Sequence, residues 1–159
     1  MTEQLSPADR DELSAALPHV HLQGITFHEI SARQRMEEPS LSLEENSVNL
    51  DLAVQQGVGP TNTFGIRLLG KVEHAAGTVT VIVAATYKIA DGFTMSSRCR
   101  NLYVNEVAIM TAFPYLREGI SCITAKVFGD PLLVPVLQRG QLRVPVDEDS
   151  DLSEKRTTS

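Results

Sequence analysis

The side chains able to do chemistry are few: four histidines, two cysteines and an adjacent Arg117-Glu118 pair in 159 residues. His19-x-His21 places two imidazoles on one side of an extended run, and His28 is followed by Glu29. A zinc site needs three or four ligands converging on one point. The apolar parity flips at Gly24, which turns His28 away from the pair, so the histidines read as polar residues of an edge strand. Cys99 and Cys122 lie 23 apart with no CxxC spacing and read as free thiols of a reducing compartment. Cys122 has apolar neighbours in a helical pattern, where a thiol is inert packing. There is no GxSxG for a serine nucleophile, and Gly57-Val58-Gly59-Pro60 lacks the lysine and following helix of a phosphate loop. Arg117-Glu118 reads as a salt-bridged or interface pair before it reads as an acid and base. Without a catalytic constellation, a metal set or a cofactor motif, the expectation moves from enzyme to a protein that acts by its surface.

Composition narrows that surface. The formal charge is -6 and the sequence pI about 5.2, which argues against nucleic acid, whose binding draws on clustered Lys and Arg. Hydrophobic residues make up 42%, enough for the core of one domain, whereas aromatics are 5% and Trp is absent, so an aliphatic core is expected. The opening MTEQLSPADRDELSAALP is acidic and lacks the apolar run of a secretory signal. The longest apolar run, Val79 to Ala85, is far short of the roughly 20 residues of a membrane helix. A cytoplasmic protein is expected.

The elements that position these residues follow from periodicity. Ile109, Phe113, Leu116, Ile120, Ile123 and Val127 recur at steps of 4, 3, 4, 3 and 4, the seam of a long helix that Gly129 and Pro131 close. Its start is open between Thr111, with Pro114 in the first turn, and Asn105, with a bend at Pro114; the seam residue Ile109 favours Asn105. Strand patterns begin at Val20, with a bulge expected at Gly24. They continue through Val48, Leu50, Leu52 and Val54, then Phe64 to Val72, then Val79 to Ile89. Short turns make strands two to four a meander. The expected architecture is α+β, a four-stranded antiparallel sheet packed with one long helix. Residues 1–18 are read as a flexible acidic arm or a short surface helix, 19–146 as the domain, and 147–159 as a disordered acidic tail.

One helix covers part of one sheet face. Strand four carries Ile82 and Ala84 on its second face, and the helix a second apolar edge at Val107, Met110 and Cys122. Surplus apolar surface favours association, so a homo-oligomer of even symmetry is expected, packed helix to helix along Ile109, Phe113, Leu116, Ile120 and Ile123.

The run Phe113-Pro114-Tyr115-Leu116-Arg117-Glu118 resembles the Phe-Pro-Tyr-Ala-Arg-Glu run of the SecB family of export chaperones. Ile120, Ile123 and Thr124 continue the likeness, as do Val48-Asn49-Leu50-Asp51-Leu52 and Leu132-Leu133-Val134-Pro135-Val136, over residues 20–137. The resemblance implies a cytoplasmic homotetramer, a dimer of dimers, holding unfolded polypeptides without ATP or any cofactor. It implies a client groove lined by Val48, Leu50 and Leu52 and roofed by Leu132, Leu133 and Val136. Leu137-Gln138-Arg139-Gly140 departs from the family's final helix. The acidic patch for the motor SecA is incomplete, with Glu29 at one acidic position and Arg33 and Ala75-Ala76-Gly77 at others. Such departures fit SecB-like chaperones dedicated to one client, such as the antitoxin of a toxin-antitoxin pair. The competing class is a hot-dog-like thioesterase or small-ligand binder, with Glu118 or a histidine as acid or base in a closed pocket beside the helix.

Overall fold

The computed structural model describes residues 4–36 and 49–146. Four strands, β1 (Val20–Gln34), β2 (Asn49–Gly59), β3 (Thr63–His74) and β4 (Gly77–Ile89), form one antiparallel sheet in the order β1-β4-β3-β2. The meander is present as expected, and β1 pairs with β4 across the far side. Val48 lies outside the described residues.

Alternation explains one face completely. Phe64, Ile66, Leu68 and Val72 of β3 stand opposite Tyr87, Ala85, Val83 and Val79 of β4, and all eight are buried. Strand β1 reaches the same face only because it is bulged twice. Its register slips between Leu22 and Gly24 and again between Phe27 and Glu29. The apolar set therefore runs Val20, Leu22, then Ile25, Phe27, then Ile30, Ala32, changing parity at each slip while staying on one side. The hairpin between β3 and β4 depends on Gly77, whose φ is +155°; a Cβ there would fall 1.9 Å from the Arg33 carbonyl oxygen.

The helix starts earlier than either sequence alternative. Ser96 is the cap, its hydroxyl accepting from the Cys99 amide at 3.0 Å. From there α2 (Ser97–Tyr103), a π-helical stretch (Val104–Ala108) and α3 (Ile109–Val127) run on with right-handed helical dihedrals at both junctions. Asn105 is thus buried in the π stretch and Thr111 bonds back to the Val107 carbonyl; neither is a cap. Pro114 sits inside α3, leaving the Met110 carbonyl without its usual amide.

The seam packs on this chain's own sheet. Ile109, Phe113, Leu116 and Ile120 are 0 to 4% exposed, so the surface expected to meet a sister helix is already covered, and Ile123 and Val127 towards its end are half-buried. Aromatic residues, few as they are, cluster here: Phe64 stacks on Tyr87 at 5.3 Å between ring centroids, and Tyr103 meets both edge-on. Burial pushes the Tyr103 hydroxyl up to about 12 and raises that of Tyr87.

The N-terminal stretch is a docked helix, not a flexible arm. α1 (Pro7–Ala16) is capped by Ser6, buries Leu13 and Ala16, and is tied to α2 by Asp9–Arg98 at 2.6 Å and Ser96–Glu12 at 3.0 Å. The acidic tail, 147–159, lies outside the described residues.

Candidate functional site

The helix has two flanks, and its contacts fix which strand each overlooks. A Cβ on Gly119 would lie 2.9 Å from the Phe27 ring of β1, whereas one on Gly70 of β3 would meet Leu116 at 3.2 Å and Ile120 at 3.5 Å. At 100° per residue the positions run Gly119, Leu116, Ile120, Thr124, Arg117 round the helix, in the same sense as β1, β4, β3, β2 across the sheet. The Arg117 and Thr124 flank therefore overlooks β2. At the far end the Gln56 side chain donates to Asn101 Oδ1 at 2.8 Å, tying β2 to α2.

On this flank the chain past the helix returns as an extended strap over residues 131–146. Thr124 Oγ1 accepts from the Leu132 amide at 2.8 Å, and Arg117 Nε donates to the Val134 carbonyl at 2.9 Å. Asn105 then bonds both ways to Val144: its Oδ1 accepts from the amide at 2.7 Å and its Nδ2 donates to the carbonyl at 3.0 Å. Glu106, nearly buried, receives Arg143 at 3.2 Å and Arg139 at 3.7 Å. Gly140, at φ +90°, and Pro145 interrupt any helical run here, and no helix forms over residues 131–146. Three strap side chains are buried, Val134, Leu137 and Val144. With so few anchors, ordering so long a segment at about 1 to 2 kcal/mol per residue leaves the strap at the low end of local stability.

Leu50, Leu52 and Val54, on the helix side of β2, are half-buried and packed against the edge of the core. Leu132 is half-buried at the root of the strap, and Leu133 and Val136 stand outward at 76% and 69% exposure. Among the described residues β2 pairs only with β3, so its outer edge carries unpaired amides and carbonyls beside Leu50, Leu52 and Val54.

The opposite flank, missed in the sequence, is also apolar. Leu22, Phe27 and Ile30 of β1 are 45, 38 and 44% exposed, and Tyr115 on the same side of the helix is 44% exposed. The signal was present as a second parity change, from Phe27 to Ile30, which the eye loses in so polar a strand. Also missed was a repeat: Leu132-Leu133-Val134-Pro135-Val136 returns ten residues later as Leu142-Arg143-Val144-Pro145-Val146. Both copies bury the first valine, 2% and 6% exposed, and in both a helix side chain holds that valine's backbone.

The chemistry-bearing residues do not converge. His19 belongs to the turn before β1 and stacks on Phe93 at 4.4 Å, while His28 is the residue bulged out between Phe27 and Glu29. No group of three His, Cys, Asp or Glu able to hold a metal occurs among the described residues. Glu118 is exposed, and Cys122 is exposed rather than packed. Cys99 is buried, which pushes its thiol up to about 11, with Glu12 adding to the shift. The outer sheet face mixes signs: Glu29, Asp51 and Glu73 against Arg33, Arg67 and Lys71. A depression of about 360 Å³ crosses it where Gly57 and Gly65 lack side chains, beside His28 and Arg67. No described helix is long and apolar enough to cross a membrane.

No family model matches this chain, and no curated protein matches it. Among solved structures it is similar to the Mycobacterium tuberculosis Rv1957 SecB-like chaperone in complex with a ChAD peptide from the Rv1956 HigA1 antitoxin. That likeness has a TM-score of 0.66 at 16% identity and covers 80% of this chain and 97% of the other. A Streptococcus agalactiae protein of unknown function is similar at a TM-score of 0.42 and 10% identity, covering 74% of this chain and 97% of the other. The fold is thus SecB-like, an α+β architecture with a four-stranded antiparallel sheet under a long helix.

Proposed function

We propose that this chain is an ATP-independent holdase that takes unfolded polypeptide segments into a trough between β2 and the strap. The observation that carries the reading is the pairing, on one flank, of a half-buried aliphatic floor at Leu50, Leu52 and Val54 with the outer edge of β2, unpaired among the described residues. An unfolded segment offers the complementary pair, apolar side chains and free amides and carbonyls, and can add as a further strand without a defined sequence. Leu132, Leu133 and Val136 supply the roof. No step needs a nucleotide, metal or catalytic group.

The fold shared with a chaperone that holds an antitoxin peptide supports a dedicated client of that kind. Export through a docked motor is the weaker branch: Glu29 stands among mixed charges, its carboxylate accepting from Ser31 at 2.9 Å. Self-association is assigned to the β1 flank, where Leu22, Phe27, Ile30 and Tyr115 are exposed, in place of the covered seam; pairing of two such dimers gives the homotetramer.

The test is suppression of aggregation of a chemically unfolded client, without nucleotide, by the wild-type chain and by Leu50→Asp. Suppression by the wild type and its loss in a folded Leu50→Asp variant are expected. A well-folded wild type that suppresses nothing rejects the reading.

A further inference from the structure

The two Leu-x-Val-Pro-Val copies sit on the helix in the same way, and the second occupies a cleft. Val144 is 6% exposed, Leu142 is half-buried, Pro145 is exposed, and Arg143 reaches back to Glu106 at 3.2 Å. A depression of about 510 Å³ remains beside this segment, walled by Leu5, Arg98, Leu102, Asn105 and Glu106. Asn105 grips Val144 through backbone atoms alone, amide and carbonyl together, as a neighbouring strand would. Such a grip recognises an extended segment with a small apolar side chain at that position. Asn105 also stands in the π stretch, an arrangement that costs helix regularity and recurs at functional sites.

From this we infer that the Asn105 cleft is a second polypeptide-binding site, filled in cis by Leu142–Val146. Its ligand in trans is an extended client segment of the same chemistry: an aliphatic residue, a spacer, a β-branched residue, then proline. The cis segment is a displaceable plug. It buries one valine, is held by Asn105 and by the Arg143–Glu106 ion pair, and pairs with no strand among the described residues. Because the plug is tethered, its local concentration is high, and only clients that present the pattern densely or repeatedly displace it. The site thus adds a selectivity that the β2 trough lacks. The inference rests on the holdase reading for the nature of its ligand, but the two occupy different surfaces.

The experiment titrates fluorescein-labelled Leu-Arg-Val-Pro-Val amide into the full chain and reads anisotropy. Val144→Asp, which expels the plug, is expected to bind the peptide at least about tenfold more tightly than wild type, because the competing cis state is gone. Asn105→Ala added to it is expected to erase the gain. A folded Val144→Asp variant that binds no more tightly than wild type overturns the inference. Should that variant not fold, the wild-type chain decides: saturating peptide must accelerate hydrogen exchange at the Val144 amide, and unchanged exchange overturns the inference. Leu50→Asp is expected to leave binding of this peptide intact, so failure of the holdase reading and failure of the plug remain distinguishable.

Discussion

The two edge strands solve the same problem in opposite ways. β1 is bulged twice and keeps six apolar side chains on the helix side through two changes of parity; β2 pairs from Asn49 to Gly59 without a slip. Bulges twist an edge and fix its register, which suits a surface that must meet one defined partner. A flat strand with a free edge and a half-buried floor is tolerant of register, which suits many or loosely ordered partners. On the β2 side the chain also lays a strap along the helix, whereas the β1 side of α3 is left with Phe27 against Gly119 and Tyr115 outside. In the reading proposed above, one edge meets a copy of itself and the other takes extended chain.

The largest expected effect separates the edges by one methyl group. Gly77→Ala drives a Cβ into the Arg33 carbonyl and imposes a backbone that alanine resists. A loss of about 3 kcal/mol is expected, read from the urea midpoint, with β1 detaching from β4. Gly57→Ala on β2 meets nothing within 4 Å and is expected to be neutral or to stabilise by about 0.5 kcal/mol. Equal effects at the two glycines would remove the asymmetry.

Next in size is Leu52→Asp. Leu52 lies opposite Gly70 and is half-buried, so stability should fall by about 1 to 2 kcal/mol. Client affinity is expected to fall at least about tenfold, because a carboxylate in the middle of the apolar floor must be desolvated by any bound segment. Client affinity unchanged in a folded variant would move the binding surface away from β2.

Ile30→Asp probes the other edge. Ile30 is 44% exposed in the single chain, so folding should lose about 1 kcal/mol or less. The expected result is a smaller particle by light scattering with binding per subunit retained, the reverse of Leu52→Asp. An unchanged particle size would transfer self-association elsewhere.

These contrasts show what periodicity reveals and what it hides. Alternation located β2, β3 and β4 and the first parity change at Gly24, because each places large aliphatic residues against one layer. The helix seam was equally plain from Ile109 onward. Its first part was hidden because the π stretch inserts a residue: Val104 and Ile109, both buried, are five apart, a step no heptad contains. The seam's role was also ambiguous. An apolar stripe must be covered, but its spacing is the same whether a sheet of the same chain or a sister helix covers it. Gly70, which lets Leu116 and Ile120 approach β3, decides for the sheet. The place of Leu50 and Leu52 on the helix side of β2 was legible from alternation; the hold of Asn105 on Val144 was not, because a side chain that reads backbone leaves no mark at the position it reads.

The smallest expected effect concerns α1, which leads into β1 and is held to α2 by Asp9 and Arg98. The side-chain hydrogen bond from Arg98 is the chief cause lowering the Asp9 pKa below its ordinary value. A carboxyl whose folded pKa is depressed binds fewer protons in the folded state. The stability it contributes is therefore fully present above the unfolded value of about 3.9 and is lost as pH falls through the lowered folded value. The pair is near the surface, so its worth is about 1 kcal/mol or less. Below the ordinary carboxylate range, α1 should fray ahead of the sheet, seen as faster hydrogen exchange in residues 7–16 with β3 and β4 still protected. Asp9→Asn is expected to show that faster exchange at neutral pH and to flatten the acid dependence. If the acid dependence of α1 persists in Asp9→Asn, another carboxylate holds the helix, and the entry to β1 is anchored by the burial of Leu13 and Ala16 without help from the ion pair.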